Sequence, residues 1–280
     1  MKLSQLHDLN IESFYFFILV FFLLPLNWGI ELLKWQRILK VNKIYIVSNT
    51  LIQSLFSGVT TGIITPNRIG NFIGRMLFFK GKIRGQLILG TLYSNFAQFL
   101  STITFGAISI IWFHEVLFST YGELATYISC IILLIGLTFY FVIPYVSLPS
   151  LKFLNKKENL LKHFQVNARQ LVFPLFYLSS LRYLIFSFQF LLMLMAFGEP
   201  FSLLLLAGVF FTYLVSTLIP SFVFGKLLIR ETSGLVILSF VVENEMVIIV
   251  SSLLLWLINL GIPSLIGMFF IFRKKFLLNA

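Results

Sequence analysis

Apolar residues run through this chain in long intervals with no charged side chain. Such intervals cover residues 13–30, 44–67, 85–114, 124–151, 200–225 and 246–272, and a further one, 170–198, is broken by Arg182 and ends at Glu199. A bilayer core of about 30 Å takes about 20 helical residues at 1.5 Å each, so each interval is long enough to cross. Residues 69–79 and 232–242 are apolar but too short. Strict alternation of apolar and polar positions is absent, which argues against a transmembrane barrel. The pattern predicts an all-α, polytopic transmembrane bundle. It has about 6–8 helices and two broken or re-entrant helix pairs in a single integral membrane domain over 1–280.

Composition agrees. Of 280 residues, 59% are hydrophobic and 11% charged, against about 25% charged in soluble domains. That excludes a soluble globule and, by the same test, a disordered chain. One cysteine, Cys130, excludes a disulfide scaffold. The first interval is not expected to be a typical cleaved signal peptide, with one lysine (Lys2) and two acids (Asp8, Glu12) before or at its start and Asn27-Trp28 in place of a small-residue cleavage site.

The formal charge of +11 matters through its placement. Basic residues cluster at 31–43, 68–84, 147–169 and 273–275, which together hold 17 of the 21. The segments 113–123, 198–200 and 243–245 carry only glutamates. Cytoplasmic loops are enriched in Lys and Arg, so the basic group is assigned to the cytoplasm and the acidic group to the outside. The C-terminus is then cytoplasmic and the protein is placed in the cytoplasmic membrane. The basic loop 147–169 is expected to lie on the anionic leaflet. No basic region is separable from the membrane part, so nucleic acid is not an expected partner.

This assignment conflicts with a full crossing at 44–67, which would put 68–84 outside. Residues 45–79 are therefore expected to enter and leave from the cytoplasmic end. Residues 200–242 are expected to enter and leave from the outside. Both pairs break after a proline, Pro66 and Pro220. Both place a glycine five residues before an arginine, Gly70 before Arg75 and Gly225 before Arg230. Gly74 adds a second small position in the first pair. Proline frees backbone carbonyls, and broken backbone at membrane depth is tolerated only inside protein or beside a watery cavity. Paired breaks of this kind mark the binding site of inverted-repeat transporters. Chance recurrence is the alternative.

Polar positions recur on helical faces. Asn95 and Gln98 lie on one face of 85–114, and Asn49 and Gln53 on one face of 44–67. They are expected to line a polar cavity or to join helices. Arg182 lies near the middle of its interval, where an arginine costs about 2.5–3.5 kcal/mol, and Gln189 shares its face. Arg68, Arg75, Arg182, Lys226 and Arg230 are expected to form a positive binding site with Gln189 and Glu231, the planar guanidinium fork suiting phosphate. Ordinary snorkelling is the alternative for Arg68, Arg75 and Lys226, and a structural ion pair with Glu231 for Arg182. No metal-ligand set, phosphate loop or catalytic constellation is recognisable, so neither a cofactor nor an enzyme is expected.

Three segments resemble the lysylphosphatidylglycerol synthase transmembrane-region family, a flippase-like family of integral membrane proteins. They are Asn27–Trp35, Thr65–Arg75 and Pro220–Glu231. In the second, Asn71 stands where the family often has glutamate; in the third, Ser221 and Phe222 stand where it has glycines. The soluble synthase domain is not in this sequence. The resemblance implies a protein that moves an anionic phospholipid or lipid-linked headgroup. The alternatives are a membrane partner or regulator of an envelope enzyme and, further off, an intramembrane transferase. Substrate, driving force and oligomeric state are not readable from the sequence.

Overall fold

A computed structural model describes residues 11–65, 69–81, 83–145, 158–219 and 223–279. Among them all regular structure is helical: α1 (Phe14–Val41), α2 (Ser48–Ile64), α3 (Gly70–Met76), α4 (Ile83–Val142), α5 (Glu158–Ala196), α6 (Leu203–Leu218), α7 (Val223–Leu238), α8 (Glu245–Trp256) and α9 (Ile262–Asn279). A π-helical turn, Leu257–Gly261, joins α8 to α9. Three stretches are long and apolar enough to cross a membrane: Phe14–Val41, Phe164–Ala196 and Glu245–Arg273.

The first helix corrects the expected boundary at residue 30. Its 28 residues continue to Val41, about 42 Å at 1.5 Å per residue. Apolar side chains at Trp28, Ile30, Trp35, Ile38 and Leu39 continue to pack inward through this charged stretch. Glu31 and Lys34, read from sequence as boundary charges, are instead buried in the bundle.

Helix α1 runs antiparallel to α5. The Glu12 amide meets the Ala196 carbonyl, Arg182 meets Asn27 and Glu31, and Asn167 meets Asn42. The turn after α5, where Gly198 has φ +96°, sits against the Glu12 carboxylate. Glu199 follows. Its carboxyl is pushed upward by partial burial first, then by Glu243 and Glu12. The acidic segments thus share one end of the bundle, and Lys40, Lys43 and Arg169 belong to the other.

Helix α4 is assigned 60 residues, three times what a bilayer needs. It folds back on itself. Tyr93 stacks on Tyr140 with centroids 4.6 Å apart, Phe96 meets Phe139, and a Cβ on Gly136 would touch Leu100. These pairs share a midpoint near residue 117, so the helix runs as two antiparallel arms that correspond to the expected spans 85–114 and 124–151. The reversal falls within the acidic segment 113–123.

Both broken pairs form hairpins. In the first, α3 returns along α2: the Thr61 hydroxyl donates to the Gly70 carbonyl and the Gly70 amide donates to the Thr65 hydroxyl, each at 2.6 Å. Gly74 makes this approach possible, since a Cβ there would fall on the Ser57 carbonyl and the Thr61 hydroxyl. In the second, α7 returns along α6, with Gly234 beside Thr212. Pro66, Arg68 and Pro220 lie outside the described residues, as does the loop 146–157.

Helix α2 also packs tightly on α9. The Thr60 hydroxyl donates to the Ser264 carbonyl at 2.6 Å, and a Cβ on Gly267 would collide with the Phe56 carbonyl. Gly267→Leu is therefore expected to destabilise the protein by about 1–3 kcal/mol through overpacking. Thermal unfolding in detergent checks this, and an unchanged midpoint would show that the two helices are not in contact.

Candidate functional site

Both hairpins line a cavity of about 540 Å³. Gly62, Asn71 and Arg75 line it from the first hairpin, and Ser216, Thr217, Leu227 and Arg230 from the second. Helix α1 contributes Asn27, Trp28 and Glu31. The first arm of α4 adds Asn95, Gln98 and Thr102, α5 adds Arg182, and Trp256 and Asn259 close the wall.

Glu31 organises the charges. Its Oε1 accepts from Arg75 Nη2 at 2.8 Å, and its Oε2 accepts from Arg182 Nη1 at 3.1 Å and from Lys34 Nζ at 3.1 Å. Side-chain exposure is 6% for Glu31, 1% for Lys34, 2% for Arg75 and 18% for Arg182. Arg182 is the most exposed of the four. Each guanidinium is seated on an indole, Arg75 over Trp35 at 5.1 Å and Arg182 over Trp28 at 5.3 Å, a favourable electrostatic contact in a dry setting. Arg75 Nε donates to Asn71 at 3.0 Å. Asn71 stands where the resembled family often has an acid, and here it is an amide acceptor for the arginine.

A run of amides extends the network. Arg182 Nε donates to Asn27 at 2.9 Å, Asn27 to Asn259 at 2.9 Å, Asn259 to Gln189 at 3.0 Å, and Gln189 to the Val20 carbonyl at 2.9 Å. Asn259 sits in the π-helical turn, an irregularity often found at functional sites. Buried amides need partners. Asn259→Leu strands both Asn27 and Gln189 and is expected to cost about 1–3 kcal/mol, read as a lowered thermal midpoint. No change would show that the amide run carries no stability.

Arg230 faces the same cavity from the opposite wall. Its Nε donates to the Ser252 hydroxyl at 3.0 Å and its Nη2 to the Ser252 carbonyl. The Tyr213 hydroxyl lies beside it. No carboxylate lies within ion-pair distance of Arg230 among the described residues; Glu231, half-buried and off the cavity wall, acts on it only from farther away.

The residues expected from sequence thus divide. Arg75, Arg182, Arg230, Asn95 and Gln98 line the cavity. Gln189 stands behind its wall with its amide engaged by the Val20 carbonyl and Asn259. Asn49 and Gln53 bond to each other at 3.1 Å on exposed surface, away from the cavity. The backbone of Lys226 lies in α7, but its side chain and Arg68 are outside the described residues. Gly70 and Gly74 hold α3 against α2, and Gly225 lies in the first turns of α7.

The acid expected to be buried was Glu231; the buried one is Glu31. It could have been found, because Asn27, Glu31 and Lys34 fall at helical spacing on one face within an unbroken apolar pattern.

No family model, curated protein or solved structure matches the chain.

Proposed function

We propose that this protein binds the anionic headgroup of a phospholipid or lipid-linked molecule in the central cavity and moves it across the cytoplasmic membrane. One observation carries the reading: the buried charges do not balance. Among the described residues, Arg75, Arg182 and Arg230 on the cavity wall and Lys34 behind it supply four positive charges, and Glu31, bonded to three of them, one negative. Each unpaired buried ion costs several kcal/mol. A charged residue at membrane depth that is kept despite that cost marks a substrate path, and here its missing counter-charge is an anion.

The two hairpins supply a route. We read them as re-entrant, the first from the cytoplasmic end and the second from the outside, and as related halves of an inverted repeat. Both hairpins line one cavity, as such transporters require for alternating access around a fixed site. The basic end is read as cytoplasmic, with the C-terminus there. The resemblance of Thr65–Arg75 and Pro220–Glu231 to a flippase-like family supports the same reading.

The test is transport. The purified protein is placed in liposomes with a fluorescent phosphatidylglycerol, and loss of signal to a membrane-impermeant quencher is followed. Movement at least tenfold faster than in protein-free liposomes is expected, and equal rates would rule out translocation of this lipid class.

A further inference from the structure

Beyond being anionic, the ligand must suit what else the cavity wall offers. Around the arginines lie amides and hydroxyls of Asn71, Asn95, Thr102, Ser216 and Thr217, with the indoles of Trp28 and Trp256. Asn95 and Thr217 have no hydrogen-bond partner among the described residues. Side-chain amides and hydroxyls both donate and accept, as the hydroxyl groups of a polyol or sugar do, and an indole face packs against C–H surface.

The wall offers no free carboxylate to an ammonium group. Its described carboxylate, Glu31, has both oxygens taken by Arg75, Arg182 and Lys34. The Trp28 face, which could otherwise seat a cation, is covered by Arg182. The remaining charges on the wall are positive and repel a cation.

Arg230 gives the phosphate its place. A guanidinium has five N–H groups in a planar fork. Two of those on Arg230 reach Ser252 and a third bonds to the Tyr213 hydroxyl, which leaves two for an oxyanion. Arg75 and Arg182 are already bound to Glu31. The cavity volume of about 540 Å³ is within the usual range of about 300–1,000 Å³ for small-molecule sites. It suits a headgroup, while acyl chains of about 15 Å per leaflet stay in the lipid.

We infer that the cavity selects a phosphodiester carrying a polyol or sugar, with the phosphate on Arg230 and the hydroxyl groups on Asn95 and Thr217, and that it rejects amine-bearing headgroups. This rests on the reading of the cavity as an anion site and adds the class of headgroup. It also departs from the resembled family's name, since a lysyl headgroup brings ammonium groups that this wall cannot pair.

The experiment is competitive binding read by native mass spectrometry. Delipidated protein in detergent is given equal amounts of phosphatidylglycerol, phosphatidylmethanol and phosphatidylethanolamine with identical acyl chains. The first two share one phosphodiester charge and differ in the polyol; the third carries an ammonium. Phosphatidylglycerol is expected at least fivefold over phosphatidylmethanol and more than tenfold over phosphatidylethanolamine. Asn95→Leu and, separately, Thr217→Val should narrow the first ratio toward one while both anionic lipids stay bound. Parity of phosphatidylglycerol and phosphatidylmethanol in the wild type overturns the polyol assignment alone. Equal retention of phosphatidylethanolamine overturns the exclusion of amines. Retention of no anionic lipid removes the underlying lipid-binding reading. A parallel arm adds free glycerol phosphate: if it binds where no lipid does, the headgroup chemistry is upheld and the lipid source is overturned.

Discussion

Glu31→Ala is expected to cost about 3–5 kcal/mol, the usual price of breaking a buried ion pair, and to lower the thermal midpoint more than any other single change considered. The carboxylate holds Arg75 at 2.8 Å, Arg182 at 3.1 Å and Lys34 at 3.1 Å. Through them it joins α1 to α3 and α5. Without it, three cations face one another with no counter-charge in a region of low dielectric. A domain with a stability of about 5–15 kcal/mol loses a large share of it. Size-exclusion profiles and thermal midpoints in detergent read the effect. Removing one cation as well separates repulsion from lost packing: Glu31→Ala with Arg75→Met should recover part of the loss, because neighbours in one network are not additive. A Glu31→Ala protein as stable as the wild type would mean that the three cations do not depend on this acid.

Arg230→Gln has the opposite profile. Its contacts are hydrogen bonds to Ser252 and Tyr213, which a glutamine can partly keep, and no ion pair is broken. Stability should change by less than about 1.5 kcal/mol, the scale of one hydrogen bond. Transport of fluorescent phosphatidylglycerol should fall at least tenfold, because the cation without an acid partner is gone. Arg230→Lys should recover only part, since an ammonium lacks the planar fork. A variant that transports at the wild-type rate would move the phosphate site elsewhere on the wall.

Much of the fold could be read from the chain because its signals are local. Apolar runs mark helices, and prolines with nearby glycines mark the breaks of both hairpins. The alternation of basic and acidic segments anticipated which ends lie together. The pairing of Tyr93 with Tyr140 agrees with a reversal in the acidic stretch 113–123. Which charges point inward is signalled locally only by the helical spacing of Asn27, Glu31 and Lys34, and counting charges by segment hides it. Glu31 and Lys34 lie among exposed basic residues of one cluster, and a tally by segment treats them alike. Their burial depends on Arg75 and Arg182, which are 44 and 151 positions away from Glu31. Asn259 shows the same limit: a lone amide in an apolar run becomes a junction only when Asn27 and Gln189 arrive from two other helices. Gln189 was found as an intramembrane polar group, but its side of the cavity wall is set by packing, not by spacing.

The central claim is that the positive cavity holds an anionic headgroup at Arg230. Its most direct measurement is equilibrium binding of a short-chain, water-soluble phosphatidylglycerol to the purified protein, followed by the fluorescence of Trp28 and Trp256 in the cavity wall. The account predicts a saturable signal with one lipid per chain, lost in Arg230→Gln. A signal that rises without saturation, and equally in the variant, would contradict it.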